Sequence, residues 1–379
     1  MKQHVSVGLV GFGYIGKVHT LGYQGVQLCL PDPPVLPRLQ AVLRRRIDPD
    51  DTSWREAGYQ LATADPDTFF AQPLDIVDIC TPNSQHREPV QRAIAAGMAV
   101  YCEKPLAHTL ADARALAELA AKTHTLTHIA FVLRYLPAIR QMKALLELGA
   151  IGDVINFRAR MDHGSYLNPN RPLSWRLQRA QSGGGAFMDL GTHLVDLVHY
   201  LLGDVATVQA QTRTVIENRP VTAGSSERGQ VDVDDWALAL LTLRNGAVGT
   251  VEVTRMAAGA REATSLEIYG RRGTLTFHAS APYTARHFDL KQGEWRTALA
   301  NLPTPAGDRP LSQLLPASKY SQGFMTDIHL AAAYDFVLNV AEGKSAQPDF
   351  QAGLAAQEVV QATYQSAAAN GAEVTLLST

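Results

Sequence analysis

Cysteine is scarce in this chain of 379 residues. The three present, Cys29, Cys80 and Cys102, are odd in number and lack metal-ligand spacing, which excludes a disulfide framework and offers no zinc motif. A reducing, cytoplasmic setting without a metal is expected. Net charge is nearly absent as well, since 34 Lys plus Arg against 36 Asp plus Glu leave −2. No basic block runs far enough to track a phosphate backbone, so no nucleic acid partner is expected. No apolar stretch approaches the ~20 residues of a membrane helix, so no membrane is expected either. The apolar start, Met1 to Gly16, is broken by glycines and followed by no small-residue cleavage site, which argues against a signal peptide. Repeats and low-complexity linkers are also missing. What is present suits a soluble, folded chain: 46% hydrophobic and 18% charged residues can build sizeable cores, and the length calls for more than one of them.

Val5 to Val10 is short, apolar and β-branched, and Gly11-Phe12-Gly13-Tyr14-Ile15-Gly16 follows at once, leading into Lys17-Val18-His19-Thr20. This order predicts strand, tight turn and helix. In such a turn the first glycine permits the bend, the second lets a pyrophosphate reach the backbone, and the third lets helix pack on strand. The phosphates then meet free N–H groups at the helix start. Further strands are predicted at Leu39 to Leu43, Leu74 to Cys80 and Ala99 to Cys102, with helices at Glu88 to Ala96 and Leu110 to Lys122 between them. Strands alternating with helices imply an α/β, doubly wound parallel sheet (a Rossmann domain, residues 1–125) with its ligand crevice at the carboxyl ends of the strands. Thr81-Pro82-Asn83 and Glu103-Lys104-Pro105 begin where strands end and should open onto it.

Beyond about Gly149 the texture changes. Ile155 to Met161, Val205 to Ile216, Trp236 to Leu243, Ala247 to Thr254, Ser265 to Tyr269 and Thr274 to His278 are strand-like, with hairpin turns at Asn245-Gly246 and Gly270 to Gly273. The second domain, residues 126–379, is therefore expected to be α+β with a large, mostly antiparallel open sheet. Late helices are expected at Met325 to Glu342 and Leu354 to Ala369, and long loops at Val221 to Gln230 and Asn301 to Gln322.

Gly183-Gly184-Gly185 precedes an amphipathic segment, Ala186 to Leu202, predicted as one helix. Asp189 and His193 lie four apart and Asp196 three further on, so they share a face. A glycine-rich entry lets another group approach the helix start, and an acid with a histidine can move a proton. Alone, such a pair is commonly a satisfied surface or core pair. Glu103-Lys104-Pro105-Leu106 and Gly183 to His193, together and downstream of a dinucleotide turn, resemble the glucose-fructose oxidoreductase, inositol dehydrogenase and rhizopine catabolism (Gfo/Idh/MocA) family. The resemblance covers nearly the whole chain and includes Thr81-Pro82-Asn83 with His86, Ser174-Trp175-Arg176, and Val231 to Asp235. These last features look most like members acting on anhydrosugars and cyclic polyols.

The resemblance implies an NAD(P)-dependent oxidoreductase, a dehydrogenase of a sugar or polyol substrate, and a homodimer or homotetramer. By motif position, Lys104 would touch substrate hydroxyl and cofactor, His193 would accept the proton, and Asp189 would bind a neighbouring hydroxyl. Gly11 to Gly16, Thr81, Pro82, Asn83, His86 and Glu103 would lie along the cofactor, with Trp175 and Arg176 near nicotinamide and substrate. Arg134, Tyr135, Asp162, His163 and Tyr166 would flank the pocket. The same residues could serve reduction of a ketosugar or an imine-like compound. A non-catalytic NAD(P)-binding sensor and a metal-dependent lyase or hydrolase are the rivals from other classes.

One departure bears on the cofactor. A dinucleotide site usually carries Asp or Glu at the end of the second strand, holding the ribose 2′-hydroxyl. With Leu39 to Leu43 as that strand, Arg44 takes the acid's place, followed by Arg45 and Arg46. Arginine suits a 2′-phosphate, so NADP is expected over NAD. The competing alignment makes Val26 to Leu30 the strand and Asp32 the acid, which would favour NAD.

Overall fold

The structure is a computed structural model that describes residues 2–261, 263–298 and 301–377. In chain order the elements are β1 (Gln3–Val10), α1 (Tyr14–Cys29), β2 (Val35–Leu43), α2 (Ser53–Glu56), β3 (Leu61–Thr63), α3 (Pro66–Phe70), β4 (Ile76–Ile79), α4 (Arg87–Ala95), β5 (Ala99–Cys102), α5 (Leu110–Thr123) and β6 (Thr127–Ile129). There follow α6 (Pro137–Glu147), β7 (Val154–Asp162), α7 (Arg179–Ser182), a π-helical turn Phe187–Gly191, α8 (Thr192–Leu202) and β8 (Val205–Arg213). Next come β9 (Asn218–Pro220), β10 (Arg228–Gln230), β11 (Trp236–Leu243), β12 (Val248–Thr254), β13 (Ala263–Gly270), β14 (Gly273–His278), β15 (Arg286–Asp289) and β16 (Glu294–Thr297). The last elements are α9 (Phe324–Glu342), α10 (Phe350–Ala368) and β17 (Val374–Thr375). Two compact units result, residues 1–135 with 308–354, and residues 136–307 with 355–379.

The first unit is built on a six-stranded parallel sheet in the order β3-β2-β1-β4-β5-β6. The order reverses between β1 and β4, the position where a doubly wound sheet opens its ligand crevice. β4 and β5 are buried along their whole length, as expected of strands covered on both faces. β2 starts at Val35, earlier than its sequence suggests, and contains Pro37. That proline is tolerated because β3 pairs only with Ala41 to Leu43, leaving the earlier part of β2 an edge. The three-residue β3 is too short to be read from sequence.

Helix α1 continues through Cys29, which overturns Val26 to Leu30 as a strand. Gly22, Tyr23, Gly25 and Val26 are buried at helical spacing. A Cβ on Gly22 would stand 3.3 Å from the Leu330 backbone, so the small residues let α9 lie close against α1. Asp32, the acid of that alignment, is instead an exposed turn residue paired with Lys2 at 2.9 Å.

The second unit carries a nine-stranded sheet in the order β16-β15-β14-β13-β7-β12-β11-β8-β17. Only the β7–β12 pair is parallel. Burial alternates along the central strands: Phe157, Ala159 and Met161 of β7 are buried, whereas Arg158 and Arg160 are exposed. Helices α6 and α8 and the π turn pack against this sheet. Gly246, with φ +88°, makes the expected β11–β12 hairpin. The stretch Val221 to Gln230, expected as loop, ends in β10, which pairs back on β9. Among the described residues no helix is long and apolar enough to cross a membrane.

Candidate functional site

In the first unit the glycine turn divides its labour. Gly11 has φ +97°, and a Cβ there would lie 2.8 Å from the Cys80 carbonyl oxygen. A Cβ on Gly16 would come within 2.1 Å of the Gly11 carbonyl oxygen. A Cβ on Gly13 would meet nothing within 4 Å, so this glycine keeps the outer side of the turn clear rather than relieving a clash. Gly13 is also the N-cap of α1, with no side-chain cap and no acid in the first turn. Its first N–H groups are therefore left to an anion from outside, as a pyrophosphate requires. Ile15 is half-buried and Tyr14 is exposed beside them. The Phe12 ring packs edge-on to Tyr59 and is faced by Lys17 at 5.5 Å and Arg44 at 5.7 Å.

Arg44 does follow the last residue of β2. Its Nη1 lies 2.6 Å from Asp51, whose carboxyl is held well below the usual range by the hydroxyl and backbone N–H of Ser53 and by Arg44 itself. Arg45 and Arg46 are exposed.

His86, fully buried, joins the loops that follow β4 and β5. Its Nε2 lies 3.0 Å from the Thr81 carbonyl oxygen and its Nδ1 3.1 Å from that of Pro105. Burial lowers its pKa, so the neutral ring donates one proton to one of these loops. The Thr81 hydroxyl donates to the Gln85 carbonyl, Pro82 starts the turn that ends at His86, and Asn83 is buried. Glu103 is buried, and one of its carboxylate oxygens accepts the Lys104 backbone N–H at 3.2 Å. Its other oxygen lies 3.1 Å from Nε2 of His19, while Nδ1 of His19 faces Asp78 at 2.9 Å. His19 and Asp78 were not singled out from sequence. Both are 0% exposed, on an apolar helix face and within an apolar strand, where a polar side chain needs a partner. The Tyr135 hydroxyl donates to Asp335 at 2.9 Å inside the first unit. Arg134 beside it is buried as well.

In the second unit the triple glycine admits the protein's own side chains. A Cβ on Gly184 would meet the Tyr364 hydroxyl at 2.4 Å, and one on Gly185 the Asp234 carbonyl oxygen at 2.0 Å. The Asp234 carboxylate accepts the N–H groups of Gly185 at 2.9 Å and Phe187 at 2.8 Å and the Tyr364 hydroxyl at 2.8 Å. The segment expected as one regular helix opens instead with the π turn, a widening that recurs at functional sites. From Ala186 to Val198 only Asp189 and His193 are not buried, and Asp196 is 1% exposed.

Arg255, just past β12 and 1% exposed, was missed from sequence because nothing local marks it. Its Nη2 donates to the Gly185 carbonyl at 3.1 Å and to Asp189 at 3.2 Å. A buried guanidinium thereby fixes the carboxylate's direction. Tyr166 belongs to a core cluster with Leu177, Val231 and Val233, and its ring is faced by Arg171 at 4.1 Å, Arg255 at 4.8 Å and Arg219 at 5.9 Å. Trp175 and Arg176 are half-buried and stack on each other at 4.3 Å. Asp162 pairs with Arg160 at 2.7 Å, on the sheet face opposite Met161. His163 follows β7, and burial with the charge of Arg255 lowers its pKa against the opposing charge of Asp189.

Known proteins share this two-part architecture. Residues 5–131 match an oxidoreductase family with an NAD-binding Rossmann fold, and residues 139–276 match the Gfo/Idh/MocA C-terminal domain. Levoglucosan dehydrogenase of Pseudarthrobacter phenanthrenivorans is 32% identical over 393 residues, covering 97% of each chain. The scyllo-inositol 2-dehydrogenase (NAD(+)) of Bacillus subtilis is 26% identical over 73% of this chain and 74% of its own. A solved levoglucosan dehydrogenase in complex with NADH and L-sorbose superposes with a TM-score of 0.90 at 31% identity, covering 98% of this chain and 99% of that one.

Proposed function

The chain belongs to the Gfo/Idh/MocA family of oxidoreductases, and on that premise we propose that it oxidises a ring secondary hydroxyl of a sugar, anhydrosugar or cyclic polyol. The observation that carries this reading is the isolation of Asp189 and His193 as the only unburied residues between Ala186 and Val198, with Asp189 anchored by Arg255. A helix entry that is buried except for an anchored acid and a histidine is suited to meet a polyhydroxylated ligand.

In this mechanism His193 accepts the hydroxyl proton. The Lys104 ammonium stabilises the alkoxide that forms, and the anchored Asp189 accepts a hydrogen bond from a neighbouring hydroxyl, fixing which carbon reacts. The bound nicotinamide supplies the hydride acceptor. The open side of Gly13 and the uncapped start of α1 fit its pyrophosphate. Trp175 and Arg176 complete the substrate end in this reading. A spectrophotometric screen of anhydrosugars, cyclic polyols and aldoses with both cofactors tests it. Turnover of at least one such compound is expected, and tight cofactor binding without any turnover would favour a sensor.

The finer cofactor assignment rests on Arg44. Three arginines at the end of β2 favour a 2′-phosphate and hence NADP, while the Asp51 carboxylate on Arg44 competes with that phosphate and keeps the preference modest. The related levoglucosan dehydrogenase, by contrast, was solved with NADH. A higher kcat/KM with NADP is expected, reversed in Arg44→Ala; a clear native preference for NAD would sink the assignment.

Two glycine substitutions separate fold from cofactor. Gly16→Ala forces the turn apart and is expected to lower Tm and cofactor affinity together. In Gly13→Ala the added Cβ meets no protein atom within 4 Å, so Tm should fall much less than in Gly16→Ala while affinity falls about tenfold or more, ~1.4 kcal/mol. Calorimetry and fluorescence titration of NADH check both.

A further inference from the structure

The first unit buries a cluster of ionisable side chains that is hydrogen-bonded to the turn carrying Lys104. Asp78 sits 0% exposed in the central strand β4 and accepts from Nδ1 of His19, from the Tyr23 hydroxyl at 3.0 Å and from the Cys80 thiol at 3.4 Å. His19 is likewise 0% exposed, and each of its ring nitrogens faces a carboxylate, Asp78 on one side and Glu103 on the other. An ionised carboxylate only accepts hydrogen bonds, so satisfying both partners requires both nitrogens to donate. A lone buried carboxylate is costly and a buried pair of them more so; a cation held between them offsets that cost.

We propose that His19 is held as an imidazolium between Asp78 and Glu103 and is the positioning residue that sets the Lys104 turn. The inference rests on the reading of Lys104 as a catalytic group. Glu103 is gripped at both oxygens, by His19 at one and by the Lys104 backbone N–H at the other. That fixes the main chain from which the long Lys104 side chain extends. A displacement of about 1 Å at reacting atoms can cost roughly 10²-fold in rate, so a small tilt of this turn is felt in turnover.

The charges around the ring agree. Burial lowers the pKa of His19, but the charge of Asp78 and its hydrogen bond to the ring outweigh it, and the net direction is well upward. For Glu103 burial acts upward and is outweighed by the hydrogen bond and charge of His19 and by Lys104, leaving the carboxyl at about 2. His329 on α9, with its ring 5.4 Å from that of His19, is pushed down to about 3 by burial and by the His19 charge. One of the two adjacent imidazoles is therefore charged and the other neutral. Tyr101 of β5 meets His19 edge-on at 5.4 Å. Tyr59 also faces the cluster, and its hydroxyl bonds to Thr20. Because the folded pKa of His19 is raised, its stabilisation is complete below the ordinary histidine value and is lost as pH rises through the folded one.

The ligand atoms of His19, Glu103 and His329, and those of His19, Asp78 and Cys80, also lie within 4.8 Å of one another. At 2.9 and 3.1 Å, however, the contacts of His19 are already hydrogen bonds, which a metal could occupy only by displacing their protons.

Nitrogen NMR of the full chain labelled at histidine tests the proposal, with H19Q and E103Q each identifying the His19 signal. Both ring nitrogens should remain protonated at about pH 8, where an ordinary histidine is neutral. A neutral ring there, or a stoichiometric metal in the purified protein, overturns the proposal. In kinetics, H19Q should lower kcat roughly 10–100-fold with cofactor KM nearly unchanged, and H19Q/E103Q should be no slower than H19Q, since both act through one linkage. A lower Tm with kcat intact would mark a merely structural role and also overturns it. K104M run in parallel separates the two claims: an active K104M refutes the role of Lys104, whereas an inactive K104M beside a fully active H19Q refutes only the role of His19.

Discussion

Lys104→Met is expected to lower kcat by roughly 10²–10³-fold, ~2.7–4 kcal/mol of transition-state stabilisation, while NADH still binds. Methionine keeps the length and much of the apolar stem but removes the ammonium. What is lost is a charged donor aimed at an alkoxide that exists only as the hydroxyl proton departs, so the loss belongs in kcat rather than in cofactor affinity. The fold should be undisturbed. Lys104 is half-buried, and the hydrogen bonds of its turn, from its backbone N–H to Glu103 and between His86 and the Pro105 carbonyl, are kept when only the ammonium beside Glu103 is removed. Steady-state kinetics with a turned-over sugar, fluorescence titration of NADH and a melting curve read the three quantities separately. A kcat within tenfold of the native protein would remove Lys104 from the chemistry.

How much of this was legible in the chain depends on whether the determining contacts are local. The run from Val5 through Gly16 is local: an apolar strand, three glycines and a helix start are adjacent, and the structure realises them as written. The parallel sheet, the antiparallel sheet and the Asn245-Gly246 hairpin were legible for the same reason. The triple glycine was legible as a place of close approach, but not for whom. Its partners, Asp234 and Tyr364, stand 49 and 179 positions from Gly185, and no periodicity announces a pairing at that range. The π turn is a tertiary effect too, since Ala186 to Leu202 has an ordinary helical pattern. His19 and Asp78 are a different case. A histidine on the same helix face as Tyr23 and Val26, and an aspartate inside the apolar run Leu74 to Cys80, are each a buried charge that must find a partner. That conflict between pattern and polarity could have marked both. Arg255 carried no such mark, because it lies just beyond its strand, where a charged residue is unremarkable.

His193→Ala is expected to slow the chemical step by roughly 10²–10⁴-fold and to change the shape of the pH profile as well as its height. In the native protein a protonated imidazole cannot accept the hydroxyl proton, so kcat/KM should fall on the acid side as His193 gains its proton. Alanine removes that group, and with it the acid limb. The variant's residual rate should instead rise with hydroxide, so that native and variant converge as pH increases. Added imidazole should restore part of the rate, because the vacated half-buried position opens to small bases. Asp189→Asn is the contrasting case. Its amide still fills the place opposite Arg255 but accepts more weakly, so substrate KM should rise while an acid limb is retained. The two variants thus divide the pair into proton acceptor and orienting group. An H193A enzyme whose acid limb matches the native one would assign that limb to another residue and take His193 out of the proton transfer.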